Sequence, residues 1–245
     1  MTRTAIAGAA MVLALTFAPL GTAAAQEAPP ASDAAAMDAY ERTVAAMQTP
    51  RMKTAAIDGV LEALFLQLVS EDEEMAALAE AEPGFGPAFK ASLRPIFADV
   101  VEENMAIAAS ALTALLRERL NEEEAGDVAA FFAAPEMQNL IMQTHAQNRH
   151  ESVLAPENAD SDITEEQIIA DRRRAAARVS NDLSAAERLN LTLLSSSEGV
   201  QKFMALQGEI SAINLAIENR PLDPAIEAEM LDAMLTVFDK YGLWG

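Results

Sequence analysis

The chain has 245 residues, with 17 Lys and Arg against 38 Asp and Glu, and it contains no cysteine. The formal net charge of −21 argues against a nucleic-acid binder, which needs a basic face to displace counterions from phosphate, and disfavours adsorption to an anionic membrane. The lack of cysteine excludes disulfides and a thiol nucleophile, so stability must come from an apolar core.

The first 25 residues are typical of a secretory signal peptide. Arg3 supplies the positive charge, and the apolar run 5–17 is too short to span a bilayer as a helix. Three small residues, 23–25, predict cleavage before Gln26, with an uncleaved N-terminal anchor as the alternative. Short, Ala-rich signals of this kind resemble those of Gram-negative bacteria. The sequence therefore predicts a periplasmic protein whose residues 26–34 form a flexible leader.

Beyond the leader, the abundance of Ala, Leu, Glu and Met predicts an all-α fold, a helical bundle without a β-sheet. A first helix is expected over 35–48, ended by Pro50. A second is expected over 54–69, where apolar residues recur every three or four positions. Ser70, with Glu73 three residues later, is predicted to cap a short third helix.

The segment 83–87, Pro-Gly-Phe-Gly-Pro, predicts the clearest break in the chain. A long helix is expected over 88–120, with a kink or restart at Pro95. Its apolar stripe is formed by Phe97, Val101, Met105, Ala108, Leu112 and Leu115. Asn121 and Glu124 match a capping box for the next helix, and Pro135 fits the first position of the helix after it.

The polar segment 155–163 is the predicted boundary between a first helical half, 35–154, and a second, 164–245, packed on the first. Thr164 with Gln167 and Ser184 with Glu187 match capping boxes in the second half. After Ser197 we expect one long amphipathic helix with a stripe of Phe203, Leu206, Ile210, Ile213 and Ile217. A final helix is expected to start at Asp223-Pro224 and to carry Ile226, Met230, Met234 and Val237.

Two segments, 120–138 and 183–201, are weakly similar, because Leu, Glu and Gln recur at an offset of 63 residues. This similarity predicts two related helix-turn-helix units. The motif residues of the first unit are Glu124, Phe131, Phe132, Pro135 and Gln138, and those of the second are Glu187, Ser197, Gly199 and Gln201. All of them suit structural roles in caps, turns or core.

The first copy resembles the core of domain of unknown function 2059, a family of exported bacterial proteins. The pattern of that family has an acidic helix start, then Glu-Leu, then Phe-Tyr/Phe, then x-Ser-Pro-x-Gly-Gln. The matching residues here are Glu124, Phe131-Phe132, Pro135 and Gln138. The positions of the family's Leu, Ser and Gly are held by Ala125, Ala134 and Met137.

The second copy has Ser197 and Gly199, with Glu198 where the family has Pro. A shift of one residue would instead align Ser196 and Gly199 with the Ser and Gly of the pattern. The resemblance covers 97–147, with a weaker second copy over 165–217. It implies an all-helical, secreted fold and offers no catalytic residues to transfer.

The two histidines, His145 and His150, do not match a zinc site. Residues five apart on a helix point about 140° apart, whereas a zinc pair lies four apart on one face. We expect both to lie on the surface, and neither a metal nor a cofactor is predicted.

Other candidate sites have simpler explanations. The segment 158–162 resembles the start of a calcium loop, but Ile163 and Ile169 replace the required Gly and Glu. The acidic runs 71–74 and 122–124 are expected at helix starts, where negative charge is stabilising. The basic cluster 172–174 is expected to pair with acids of this chain rather than with phosphate.

The 12 methionines, among them Met105, Met230 and Met234, suit core packing, with binding of a soft metal or an apolar ligand as the alternative. Phe85, Tyr241 and Trp244 do not fall on a helix stripe. They predict either a tail folded back on the core or an exposed binding patch.

The sequence therefore favours a non-enzymatic periplasmic protein that binds another exported protein. A carrier of a small apolar ligand between helices is the alternative. A hydrolase that uses scattered carboxylates is a third class, and no set of nucleophile, base and orienting group can be named for it.

Overall fold

The computed structural model describes residues 37–148, 150–152, 155, 162–180 and 184–243, the side chains at 172, 176 and 180 excepted. The predicted signal peptide, the leader and most of the polar loop lie outside the described residues. Throughout the described part, the regular elements are helices and no β-strand occurs. The prediction of an all-α fold is confirmed.

Eleven helices are described, and most are separated by short turns. In chain order they are α1 (Ala39–Met47), α2 (Pro50–Glu71), α3 (Glu73–Ala81), α4 (Phe85–Arg119), α5 (Glu122–Ala133), α6 (Pro135–Gln147), α7 (Glu165–Ser180), α8 (Ala185–Leu194), α9 (Glu198–Ala205), α10 (Gln207–Glu218) and α11 (Pro224–Lys240).

The 35-residue helix α4 is the main packing element of the bundle. Helices α1, α2, α10 and α11 pack against it, and α2 also packs against α6. Helix α5 lies between α1 and α9, while α6 contacts both α7 and α8. The long helix therefore links elements that are far apart in sequence.

Apolar side chains form two clusters, one at each end of α4. The first core contains the end of α4 together with α1, α5, α6, α8 and α9, and its fully buried side chains include Leu112, Leu116, Leu140 and Phe203. The second core contains the start of α4 together with α2, α3 and α11, and includes Phe85, Phe97 and Leu93. Residues from before and after the polar segment 155–163 contribute to both cores.

Two pairs of helices start at the offset seen in the sequence. Helices α5 and α8 begin at Glu122 and Ala185, and α6 and α9 begin at Pro135 and Glu198, so both pairs are 63 residues apart. Equivalent apolar positions are buried in both: Val128 with Leu191, Met137 with Val200, and Leu140 with Phe203.

Two predicted helix starts are wrong. Pro50 does not end α1 but begins α2, since a proline at the first helical position loses no helical hydrogen bond, and the Thr49 hydroxyl accepts from the amide of Met52. Ser70 does not cap α3. Its hydroxyl donates to the carbonyl of Gln67, and the carboxylate of Asp72 accepts from the amides of Glu74 and Met75 instead.

Two predicted helix interiors also differ from the structure. Helix α4 continues through Pro95 without a restart, because Pro95 and Ala91, whose carbonyl it would otherwise bond, are both exposed and that carbonyl can be hydrated. The long helix expected after Ser197 is divided at Leu206 into α9 and α10. The predicted starts of α5, α6, α7, α8 and α11 are confirmed.

Candidate functional site

The motif residue Glu124 joins α5 to α9. It completes a capping box with Asn121, as expected, and its carboxylate also pairs with Lys202 of α9. Lys202 binds Glu198 as well, at 3.0 Å. The ammonium of Lys202, followed by the amide of Asn121, holds the pKa of Glu124 below its usual range, and the two carboxylates raise the pKa of Lys202.

The aromatic motif residues belong to the first core. The Phe131 and Phe132 rings are buried and lie edge to face, with centroids 5.2 Å apart. Phe132 makes a second edge-to-face contact with Phe203 of α9, also at 5.2 Å. These rings are therefore buried in the packing between α5 and α9.

The turn residues of the first unit bond the backbone. Pro135 is the first residue of α6. The side-chain amide of Gln138 donates to the carbonyls of Phe132 and Ala46, which joins α6 to the last turn of α5 and to α1. In the second unit, Gln201 donates in a similar way to the carbonyl of Ser196 at 3.2 Å.

The other motif residues of the second unit are a cap and a close contact. Glu187 and Ser184 form the predicted capping box of α8, and the Ser197 hydroxyl caps α9 by accepting from the amide of Val200. Gly199 lies against the backbone of α5, where a Cβ would come within 2.4 Å of the carbonyl oxygen of Glu124. Of the motif residues, Glu124, Phe132 and Gly199 thus lie at the contact between α5 and α9.

Both histidines are buried, so the prediction of surface histidines is wrong. His145 is in the last turn of α6, and His150 follows that helix with a positive φ of 50°. The amide of His150 donates to the side chain of Asn148. Burial, together with the charge of His145, lowers the pKa of His150 to about 3. The sequence analysis treated both histidines as residues of one helix, whereas His150 follows α6, and their spacing carries no information on burial.

A network of charges joins the end of α6 to α7. The amide of Ser152 donates to the buried carboxylate of Asp171, which also pairs with Arg174. Glu151 binds Arg174 at 3.2 Å and Arg178 at 2.6 Å. The expected pairing of the basic cluster with acids of the chain is confirmed for Arg174.

The remaining chemical candidates do not form a site in the described residues. Among these residues, no three His, Asp or Glu side chains are grouped so that they could hold a metal ion. Residues 158–161 of the calcium-like segment are not described, while both backbone groups of Ile163 bond the side chain of Asn219. Phe85 is fully buried and lies 5.4 Å from the Tyr241 ring, so the tail folds back as far as Tyr241; Trp244 lies outside the described residues.

An outward apolar face on α8 is the first surface feature that the sequence analysis missed. Leu189 and Leu193, four residues apart, are 61% and 62% exposed, whereas Leu191 on the inward side is buried. Ala186 continues this face by one turn. We call Ala186, Leu189 and Leu193 the α8 outer face. The available signal was a ten-residue helix with four leucines that do not share one side.

A groove between α2 and α6 is the second such feature. It has a volume of about 520 Å³ and is lined by Pro50, Arg51, Thr54, Ala55 and Asp58 of α2 and by Met142, Gln143 and Ala146 of α6. Just beyond it, α2 and α6 touch through their backbones, since a Cβ on Gly59 would lie 2.8 Å from the carbonyl oxygen of His145. The small residues at 55, 59 and 146 were the sequence signal for this close crossing.

Comparisons with protein-family models, with curated proteins and with solved structures found no match for this chain. The resemblance to domain of unknown function 2059 therefore stays a prediction. In the part of the chain that the structure describes, none of the helices combines the length and apolar character needed to cross a membrane.

Proposed function

We propose that this chain is a non-enzymatic, exported periplasmic protein that binds another exported protein through the α8 outer face. The observation that carries the proposal is the exposure of Leu189 and Leu193, both above 60%, on one side of a helix. Exposed leucines at helical spacing are the usual anchors of helix-mediated recognition. The motif residues cap helices, bond turns or pack in the core, which supports structural rather than catalytic roles for them.

The charge around α8 favours a partner that offers an apolar helix of its own. Residues 184–205 hold two acids, Glu187 and Glu198, and two bases, Arg188 and Lys202, in a chain whose net charge is −21. Covering this neutral region would desolvate little uncompensated charge, whereas most other regions carry an acidic excess.

We also propose that α5–α6 and α8–α9 are two related helix-turn-helix units, in keeping with the family resemblance. The shared offset of the helix starts supports this, as do the two matching capping boxes at Asn121 and Ser184. The face of α5 that receives α1 at Ala125 corresponds to Arg188 in α8, which is exposed. The second unit is therefore not expected to include a helix equivalent to α1 packed against α8.

The partner proposal is tested with the double variant Leu189→Ser/Leu193→Ser. The matched control is Leu66→Ser/Leu235→Ser, which removes two leucines that are each 41% exposed on α2 and α11. Tagged proteins are incubated with periplasmic extract, and retained proteins are quantified. We expect one protein, retained in stoichiometric amount by the wild type and the control and lost by the α8 variant.

Two results would contradict this proposal. Retention of the same proteins by all three forms would mean that the α8 outer face is not the contact. A dimer of the pure protein in sedimentation, abolished only by the α8 variant, would replace the foreign partner by a second copy of this chain.

The groove between α2 and α6 favours a second function, transport of a small ligand with an apolar part. Its volume of about 520 Å³ lies within the range of protein sites for small molecules. Alanines on both helices and the flexible side chain of Met142 suit an aliphatic chain.

A further inference from the structure

We infer that residues 147–152, at the end of α6, form an acid-sensitive clasp: uptake of a proton by His150 releases α7 from α6 while the two cores stay folded. This device goes beyond the functions proposed above, because neither the α8 outer face nor the lining of the groove takes part in it. It depends on the buried position of His150, on the polar contacts between the clasp and α7, and on the peripheral packing of α7.

His150 occupies a site that suits its neutral form. The residue is 7% exposed, and its φ of 50° lies in the left-handed region, which is strained for a residue with a Cβ. Its amide donates to the side chain of Asn148, and the amide of Asn148 donates to the carbonyl of His145 at 3.2 Å. A proton on the imidazole would place a charge in this buried site, so the charged ring must move toward water.

Polar contacts hold α7 to both flanks of His150. On the N-terminal side, the carbonyl of Gln147 accepts from Arg178 at 2.9 Å. On the C-terminal side, Glu151 and Ser152 bind three side chains of α7, which are Asp171, Arg174 and Arg178. Movement of His150 out of its site would displace both flanks and break these contacts together.

The charged groups near His150 on the clasp, α6 and α7 do not favour its protonated form. The charge of His145, in the last turn of α6, opposes a proton on His150. The carboxylates of Glu151 in the clasp and of Asp171 on α7 both pair with Arg174. They are therefore already neutralised by a cation, and a charged His150 would have to compete with it.

On α2, the acid beside the contact with the clasp is paired as well. A Cβ on Gly59 would lie 3.8 Å from the carbonyl oxygen of Asn148, so α2 passes close to the clasp at this point. The neighbouring Asp58 pairs with Arg94 of α4. Arg149, which precedes His150 in the sequence, lies outside the described residues.

Helix α7 can open without loss of either core. Its buried apolar side chains, among those described, are Ile168, Ala175 and Val179, and only Val179 belongs to a core. The start of α7 is held separately, because the side chain of Asn219 binds both backbone groups of Ile163. Elements with few buried apolar contacts open before the rest of a protein. The contact at Ile163 can thus act as a hinge while the remainder of α7 moves.

The clasp should open more often as pH falls. The pKa of His150 is about 3 in the closed form because of burial and the charge of His145, whereas its ordinary value of 6.5 applies once the ring is released. Between these values the open form binds a proton that the closed form does not, so acidification favours opening. From pH 7.5 to pH 5 the ratio of open to closed molecules should rise about thirtyfold.

The test is hydrogen exchange of single amides by NMR from pH 7.5 to pH 5, above the range in which ordinary carboxylates titrate. The reporters are the amide of Ser152, which donates to Asp171, and the amides of 171–179. The amides of Leu112 and Leu116, in the first core, report global unfolding. We expect the reporters to be less protected than these two by about tenfold or more at every pH, and to lose about thirtyfold in protection across the range.

Two variants assign the proton. His150→Gln removes the titrating ring, so the protection of α7 should no longer depend on pH. Glu151→Gln is the control, because it weakens the contacts with Arg174 and Arg178 but keeps His150. It should lower the protection of α7 by a constant factor and retain the dependence on pH. His150→Asn repeats the test if His150→Gln does not fold, since asparagine tolerates a positive φ.

Three results would overturn the clasp. Equal protection of the α7 reporters and of the core amides would mean that α7 opens only when the whole molecule unfolds. Protection of α7 that is constant from pH 7.5 to pH 5 in the wild type would mean that opening takes up no proton. A dependence on pH that survives in both His150 variants would assign the proton to another group.

Discussion

Gly199 lies where α9 comes close to the backbone of α5. Substitution by alanine would bring a Cβ within 2.4 Å of the Glu124 carbonyl oxygen and 2.8 Å of its Cα. Backbone atoms cannot yield as a flexible side chain would. We expect Gly199→Ala to destabilise the protein by about 1–3 kcal/mol, measured as a lower urea midpoint at unchanged slope.

The matched controls are Gly126→Ala and Gly208→Ala, since a Cβ at either position meets nothing within 4 Å. Both glycines lie inside helices, so alanine should stabilise them by about 0.5–1 kcal/mol. Stabilisation by Gly199→Ala as well would show that α9 does not approach α5 as closely as described.

Phe131 is predicted to contribute strongly to the first core. The side chain is 3% exposed and packs edge to face with Phe132. Phe131→Ala should lower the free energy of unfolding by about 3–5 kcal/mol, because it removes a buried ring and leaves a cavity. An unchanged melting temperature would show that Phe131 is not a core residue.

His150 makes the stability depend on pH. Its pKa of about 3 lies below the ordinary value of 6.5 because the site is buried and close to His145. Between these values the unfolded chain binds a proton that the folded protein does not, so stability falls as pH falls from 6.5 toward 3. The slope contributed by this one group approaches about 1.4 kcal/mol per pH unit.

The variant His150→Gln should flatten this part of the stability profile, measured by urea unfolding from pH 7 to pH 4. Glutamine does not titrate, so the remaining slope comes from other groups. A profile as steep as that of the wild type would mean that His150 is charged in the folded state or titrates normally.

The residue-scale predictions succeeded where the determinants are local. The capping boxes of Asn121 and Ser184 depend on residues three apart, and both are present. The burial of His145 and His150 depends instead on where α6 ends and on how closely α2 approaches at Gly59. Neither the end of α6 nor the approach of α2 can be inferred from the spacing of the two histidines in the sequence.

At the scale of elements, Lys202 fixes α9 to the start of α5. It pairs with Glu124 of one helix and Glu198 of its own. Because the pKa of Glu124 is lowered from its ordinary 4.5, the stabilisation from this pair is present above that pH and is lost as pH falls through the lowered value.

Lys202→Met should therefore raise the pKa of Glu124 toward 4.5 and reduce the loss of stability on acidification below that pH. The pKa is measured by NMR titration of the Glu124 carboxyl carbon. Lys240→Met, a lysine near the end of α11, serves as the control with the same charge change. A Glu124 pKa that is equal in all three proteins would show that Lys202 does not hold this carboxylate.

Most helices could be predicted from the sequence, since their capping residues and apolar periodicity are visible in it. The errors arose where one residue suits two roles. Pro50 can end one helix or begin the next, and here it begins α2, which Thr49 caps. The two surface features needed tertiary structure: the α8 outer face is an apolar side that packing leaves open, and the groove depends on the crossing of two helices far apart in sequence.

At the scale of the whole molecule, α4 couples the two cores. Its first half supplies Phe85, Phe89 and Phe97 to the second core, and its last turns supply Leu112 and Leu116 to the first. The helix is continuous across Pro95. If one core unfolds, the apolar side chains at that end of α4 become exposed, while the other core still depends on the same helix being folded. Neither core is closed by one stretch of sequence.

We therefore expect the described part of the molecule to unfold in one cooperative step. In calorimetry, Phe131→Ala in the first core and Phe89→Ala in the second should each lower the temperature of the same single transition, with calorimetric and van't Hoff enthalpies in agreement. Two transitions, each moved by only one of the substitutions, would instead mean that α4 unfolds in sections. The cores would then be independent units, and a ligand in the α2–α6 groove could stabilise one without the other. If the cores are coupled, ligand binding at the groove raises the free energy of unfolding of the whole folding unit, which includes the helix that carries the α8 outer face.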